Sequence, residues 1–458
     1  HGKPMVVSVS TESIYAVPAQ VQDAEKTAAK MAAILALNQE KLTAKLKRRQ
    51  AFTWIMRKVD VETVSKIKQL NLPGIGFTQE GKRNYLFDNL AAHVLGFTGI
   101  DSQGLDGVEL SFDSYLKGRA GSVVIEYDAR GHEIPYAHHR YVPPIEGNNI
   151  YLSIDLVLQQ IIERELDRVI RETQAKAATI IAMDPRSGEI LALANRPDYN
   201  PNKFAEYSPK VWRNIAVSNS YEPGSTFKII TTAAALKEKA VRLEDRFFDP
   251  GFAEVQGRNI RCWKHGGHGS QTFTEVVEHS CNVGFVNIGL RLGRDPFYNY
   301  IEAFGFGQPT NIDLSGEASG ITIKRSAIKP INLATIAIGQ SIAVTPIQLL
   351  TAVSAVANGG QLLRPQIVRE VRDKENQILR TFHPDIKKQV IDTETATIVR
   401  GILERVIENG TGRNAFVENG HVAGKTGTAQ KVEGGVYAQG KFIASFIGFA
   451  PASNPQIA

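Results

Sequence analysis

Ser225-Thr226-Phe227-Lys228 is where residue type and spacing in this chain first offer nucleophilic chemistry. A serine hydroxyl attacks poorly until a base takes its proton, and a lysine at i+3 of a helix shares the serine's face. Glu222-Pro223-Gly224 closes the preceding loop and Ile229 to Ala240 reads as helix, so Ser225 is expected in the first turn. Backbone N–H groups and the positive helix end converge there, favouring anions and pushing the lysine towards its neutral, basic form. The same S-x-x-K spacing recurs at Ser65/Lys68, Ser114/Lys117 and Ser326/Lys329, so spacing alone decides nothing. Ser225 is set apart by its Pro-Gly approach and by two further motifs.

The first of these is Ser280-Cys281-Asn282, which follows a helical stretch from Phe273 to His279. On a loop, the Ser280 hydroxyl can relay a proton while the Asn282 amide holds a substrate amide; read alone, the pair is an ordinary helix cap. The second is Lys425-Thr426-Gly427-Thr428, ahead of the strand-like run Phe442 to Phe449. Lys425 and the threonine hydroxyls suit a carboxylate, and Gly427 on an edge strand lets a ligand backbone come close. A backbone N–H near Thr428 can join that of Ser225 in an oxyanion hole; the bland reading is a glycine-marked bulge. Cys262, His265 and His268 have zinc-like spacing, but a closed site needs a fourth ligand and none is evident, so a glycine-rich loop is the preferred reading. The other histidines, including His138-His139, are scattered, and no phosphate loop or dinucleotide fingerprint follows a strand. Neither metal nor nucleotide is expected as a cofactor.

These residues need a scaffold of more than one domain. At 458 residues the chain exceeds the ~250 to 300 at which a single core stops growing. Its 43% hydrophobic and 22% charged residues match folded soluble proteins and exclude wholesale disorder. A net charge of +6 suits an anionic partner such as a membrane surface, cell-wall polymer or nucleic acid, while the densest basic run, Lys45 to Arg49, reads as a solvated helix face. The most apolar stretch, Pro346 to Ala357, is shorter than the ~18 to 20 residues that span a bilayer. No signal peptide opens the chain, and His1-Gly2-Lys3-Pro4 reads like a cut inside a longer protein. Val6 to Val17 suits a strand, Gln22 to Leu70 has helical spacing, and glycines punctuate Gly96 to Gly131. The pattern breaks at Pro143-Pro144 and Glu146 to Asn149, which divides the chain into residues 1–147 and 148–458. Ser153 or Asp155 then caps a helix with Ile154, Leu158, Ile161, Ile162, Leu166, Val169 and Ile170 on one face and Glu163, Arg164, Asp167 and Arg168 opposite. Ala178 to Met183 and Ile190 to Asn195 form a hairpin, giving an α+β domain with a central antiparallel sheet.

The ordered set S-x-x-K, S-x-N, K-T-G resembles that of penicillin-binding proteins and class A β-lactamases. The stretch from Arg213, R-N-I-A-V-S-N-S-Y-E-P-G-S-T-F-K-I, is similar to the acylation site of class B, monofunctional penicillin-binding proteins, as are G-L-D-G-V-E, A-M-D-P-R-S-G-E-I-L-A-L-A-N-R-P, I-G-Q-S-I-A-V-T-P-I-Q-L and G-K-T-G-T-A-Q. Cys262 to Gly269, C-W-K-H-G-G-H-G, resembles the division and sporulation members of Gram-positive bacteria. The resemblance implies a penicillin-binding transpeptidase domain, with a five-stranded antiparallel sheet between helices, on a mixed α/β pedestal or dimerisation module. It implies a serine D,D-transpeptidase that cross-links peptidoglycan stem peptides through a Ser225 acyl-enzyme and is blocked by β-lactams, in septal or spore cortex synthesis. Implied partners are a D-Ala-D-Ala donor, an amine acceptor, a membrane-embedded glycosyltransferase and a second copy of the chain, with no nucleic acid. The expected location is the outer face of the cytoplasmic membrane, held by an amino-terminal anchor outside this sequence; family members also continue beyond Ala458. Facing outward, the only two cysteines, Cys262 and Cys281, are expected to act as a redox pair whose disulfide would tether and misalign the Ser280–Asn282 loop, against the bland reading of a buried Cys281 and an unrelated Cys262.

Two other functions stay open on the motifs. A β-lactamase shares the acylating residues but adds a base that activates water, for which no candidate stands out; fast penicillin turnover would identify it. A penicillin-sensing or scaffolding module keeps the acylation motif without peptide transfer, and the long amino-terminal module weighs against it.

Overall fold

The computed structural model describes residues 2–124 and 140–458; the His138-His139 pair and the end of the glycine-rich stretch at Gly131 lie outside them. In the amino-terminal part the strand Val6–Ala16 is central, flanked antiparallel by Thr53–Val59 and Ile75–Tyr85. Helices Ala24–Leu35, Gln39–Leu46 and Val61–Lys68 pack on this sheet through Met31, Leu42, Leu46, Val64 and Ile67, which meet Ile14 and Ile55 in a core of their own. The strand Thr53–Val59 interrupts the stretch expected to be helical. Ile55 and Val59 are both buried, and a spacing of four fits one face of a helix and one face of a strand equally. The aromatic and β-branched composition of T-W-I-M-R-K-V decides for the strand.

The strand Asn149–Leu152 leads into the larger part by pairing with Val368–Arg372. Asp155 caps the helix Leu156–Thr173, its carboxylate accepting from the N–H groups of Val157 and Leu158 at 2.9 Å. Ser153 does not cap; its hydroxyl donates to Ile190 O at 2.7 Å, tying the helix start to the following hairpin. The buried face is rotated from the expected one. Glu163 is inside and Ile161 and Val169 are exposed, because Glu163 accepts from Ala91 N and Gln159, and Arg196 lies against it at 3.5 Å.

The hairpin Ala178–Met183/Ile190–Arg196 and a second one, Ala423–Glu433/Val436–Phe449, form the sheet framework. Ile457 exchanges backbone bonds with Ala450 and Ala458 exchanges them with Met183, so this segment links the two hairpins. The stretch Pro346–Ala357 is the central helix, buried from Ile347 to Ala357 and started by a Thr345/Gln348 capping box. Its apolar character belongs to a core. Among the described residues no helix is long and apolar enough to cross a membrane. The helices Lys228–Lys237 and Thr393–Glu408 pack against the central helix, and Asn282–Leu292 packs in turn on Lys228–Lys237; these three carry or support the three motifs.

Candidate active site

Ser225 lies in a 3-10 turn, Gly224–Phe227, that runs straight into the helix Lys228–Lys237. Gly224 has φ +54, and its N–H donates to Gly339 O at 2.9 Å. Gly339, itself at φ +76, comes so close that a β-carbon there would lie 2.0 Å from Gly224 O. The I-G-Q-S stretch thus fixes the backbone just before the serine. On the other side, a β-carbon at Gly427 would sit 2.9 Å from Pro223 O and from Thr226 Cγ2. The glycine of K-T-G therefore lets its strand lie against the serine turn, a closer reason than admission of a ligand. Ser225 is half-buried and Thr428 exposed, so this junction opens to solvent.

Lys228 is completely buried. Its Nζ donates to Ser280 O at 2.9 Å and to Asn282 Oδ1 at 2.7 Å, with Ser280 Oγ 3.2 Å away. Burial pushes the ammonium well below the ordinary lysine range, and the Lys425 charge pushes the same way. A neutral amine has two N–H groups and one lone pair, which matches two obligate acceptors and one hydroxyl able to donate. Ser280 has φ +54 between two helices, a left-handed conformation that turns its carbonyl and hydroxyl onto the same amine. The helix-cap reading fails for Ser280 and Asn282, because the cap of the second helix is Cys281, whose Sγ accepts from Gly284 N at 3.3 Å.

Lys425 is also buried, and its Nζ donates to Thr411 Oγ1 and Thr426 O, each at 3.2 Å. Burial lowers it to about 8. Thr411 was not foreseen. Its N–H donates to Glu278 O at 3.2 Å, joining the K-T-G strand to the helix before Ser280, and the turn Asn409-Gly410-Thr411-Gly412 is the local signal that marked it. Ser65, Ser114 and Ser326 are exposed with exposed lysines, and Lys68 is paired with Glu12 at 2.8 Å. None of these three serines faces a buried amine.

Cys262 and Cys281 are free thiols. Together with Asp249 and His268 they form a cluster in which one donor atom from each lies within 4.8 Å of all the others. His265 stands exposed outside it, so the three-residue zinc pattern read from the sequence is replaced by a set of four that takes Asp249 and Cys281 from elsewhere. A hydrogen bond from Cys281 draws the Cys262 thiol down to about 6 and holds that of Cys281 up.

The fold and this site define the serine acyl-transfer class built on S-x-x-K, S-x-N and K-T-G. Residues 178–458 match the penicillin binding protein transpeptidase domain, and residues 1–152 match the penicillin-binding protein dimerisation domain. Stage V sporulation protein D of Bacillus subtilis is 45% identical over 463 residues, spanning 100% of this chain and 72% of that protein. Peptidoglycan D,D-transpeptidase FtsI of Escherichia coli is 31% identical over 464 residues, spanning 100% and 76%. Penicillin Binding Protein 2X from Streptococcus thermophilus superposes with a TM-score of 0.80 at 24% identity, over 100% of this chain and 74% of that one. The chain belongs to the penicillin-binding protein transpeptidase family.

Proposed function

We propose that this chain is a peptidoglycan D,D-transpeptidase of sporulation or septal wall synthesis, acting through an acyl-enzyme on Ser225. Neutral Lys228 takes the Ser225 proton as Oγ attacks the carbonyl of the penultimate D-alanine, and the backbone N–H groups of Ser225 and Thr428 receive the oxyanion. Lys425, with the hydroxyls of Thr426 and Thr428, holds the terminal carboxylate; Asn282 holds a peptide amide. Ser280 passes the proton from Lys228 to the nitrogen of the departing D-alanine. An acceptor amine then attacks the acyl carbon, and Ser225 recovers its proton. A β-lactam opens at its ring C–N bond in the same step, but its leaving nitrogen stays tethered and blocks the acceptor.

The observation that carries this reading is the buried Lys228 amine, bonded to both residues of the second motif while rooted in the same turn as Ser225. Support for the biological setting comes from the relative named for sporulation, which is more similar (45%) than the one named only as a peptidoglycan D,D-transpeptidase (31%). Residues 148–458 are assigned to catalysis and 1–147 to a pedestal that can pair with a second copy. The reading includes a site of action on the outer face of the membrane, beside a glycosyltransferase that makes the strands to be joined. The test is incubation with a D-Ala-D-Ala stem peptide and an amine acceptor. Cross-linked product that disappears in Ser225→Ala supports the proposal, whereas release of D-alanine without transfer to any acceptor refutes it.

A further inference from the structure

We propose that Glu222 and Tyr437 are positioning residues, which together hold the serine turn at the separation from the K-T-G strand that acyl transfer requires. Both lie outside the three motifs. Glu222 Oε1 accepts from Ser341 N at 2.8 Å, and Tyr437 Oη donates to Glu222 Oε2 at 3.0 Å, with Oε1 3.3 Å away. One carboxylate therefore joins three segments: the loop into Ser225, the I-G-Q-S stretch and the hairpin that carries K-T-G.

Each group is delivered to this point by its own segment. Only Pro223 separates Glu222 from the turn Gly224–Phe227, so the carboxylate cannot move without the backbone that carries Ser225. Ser341 stands in a left-handed conformation at φ +59, and its Oγ accepts from Thr335 Oγ1 at 3.0 Å, which fixes the residue whose N–H meets Glu222. Tyr437 lies near the closed end of the hairpin Ala423–Glu433/Val436–Phe449, where the pairing slips between Gln430↔Phe442 and Val432↔Tyr437. Such a slip bends a strand pair. Gln430 Nε2 donates to Ala438 O at 3.2 Å across the irregularity, and the hairpin end so held reaches Glu222.

The serine turn and the K-T-G strand meet through glycines. A β-carbon at Gly224 would lie 3.1 Å from Thr428 O, and one at Gly427 would lie 2.9 Å from Pro223 O. These contacts limit how close the two segments come, but contact alone does not keep them from parting. The half-buried Glu222 carboxylate supplies that restraint, because an ionised acceptor takes N–H and O–H bonds more strongly than a neutral one. Burial and the Glu222 charge push the Tyr437 hydroxyl up to about 12, so it remains a donor at any working pH. The separation matters most when the oxyanion forms between the N–H groups of Ser225 and Thr428, so loosening it should slow the chemical step and spare ground-state binding. This role rests on the transpeptidase reading.

The test measures acylation of the whole chain by a fluorescent penicillin over a range of concentrations, giving a limiting rate and a half-saturating concentration for each variant. The limiting rate should fall about 10- to 100-fold in Glu222→Leu and about 3- to 10-fold in Tyr437→Phe, with half-saturation within about threefold of wild type. Glu222→Gln can still accept from Ser341 N and share a bond with Tyr437, so it should recover most of the loss. Glu222→Leu/Tyr437→Phe should be no slower than Glu222→Leu, because Tyr437 acts through the carboxylate. An unchanged limiting rate in Tyr437→Phe, a raised half-saturating concentration at an unchanged limiting rate, or losses that multiply in the double variant would overturn the proposal. Tyr437→Phe removes one oxygen from a half-exposed ring, so it decides the matter even where Glu222→Leu does not fold. A wild type that takes no label overturns the transpeptidase reading and this role with it, whereas labelling of every variant at the wild-type rate overturns this role alone.

Discussion

Replacing Lys228 by arginine separates a base from a mere cation. The fully buried Lys228 Nζ faces two oxygens that only accept, at 2.9 and 2.7 Å, and one hydroxyl at 3.2 Å. A guanidinium can donate to these oxygens but cannot take a proton from Ser225, since it stays charged at any working pH. General-base catalysis contributes roughly 10² to 10⁴ in rate, about 2.7 to 5.4 kcal/mol, and the acylation rate should fall by that factor in Lys228→Arg. The assay is stopped-flow acylation by a fluorescent penicillin from acid to alkaline pH, with circular dichroism confirming the fold. In the wild type the rate should rise with pH, because Lys228 is held below the ordinary 10.5 and becomes a base only once it loses its proton. Above about 8 the rate should fall again as Lys425 loses the charge that holds the carboxylate. Lys228→Arg should lose the acid limb and keep the alkaline one. Acylation within tenfold of wild type, with the acid limb intact, would refute the reasoning.

Gly339→Ala places a β-carbon 2.0 Å from Gly224 O at φ +76, so it should destabilise the protein by about 2 to 5 kcal/mol in denaturant titration. It should also slow acylation by about 100-fold or more, although it lies outside all three motifs, because the serine turn must shift by about an ångström. Arg196→Met leaves the buried Glu163 carboxylate without its cation and should cost about 3 to 5 kcal/mol, with Arg196→Met/Glu163→Gln recovering more than half of the loss. Alanine at Ser65, Ser114 or Ser326 should leave penicillin labelling unchanged, as measured by in-gel fluorescence.

What could be read from the sequence was local. The turn at Glu222-Pro223-Gly224, the hairpin from Ala178 to Asn195 and the Asp155 cap each depend on residues a few positions apart, and each was legible. The three motifs were legible as an ordered set, while their geometry was not. Gly339 reaches Gly224 from far along the chain, and Thr411 in the turn after the helix Thr393–Glu408 meets Lys425 on the strand Ala423–Glu433. Neither position belongs to a motif. Glu163 was placed on the wrong face because its partners, Ala91 and Arg196, come from other elements, and periodicity weighs a residue only against its neighbours. The strand Thr53–Val59 was hidden by an apolar spacing common to both periods. Asp249 has no metal-ligand spacing to Cys262, and only the ladder with Gly269 brings it beside His268.

The central claim is that Ser225 is the nucleophile and Lys228 its base. Intact-mass analysis after penicillin treatment, followed by peptide mapping, tests it most directly. The account predicts a single adduct of one penicillin mass on the peptide that contains Ser225, persisting for minutes or longer and absent from Ser225→Ala. An adduct on any other serine, or undiminished labelling of Ser225→Ala, would contradict it.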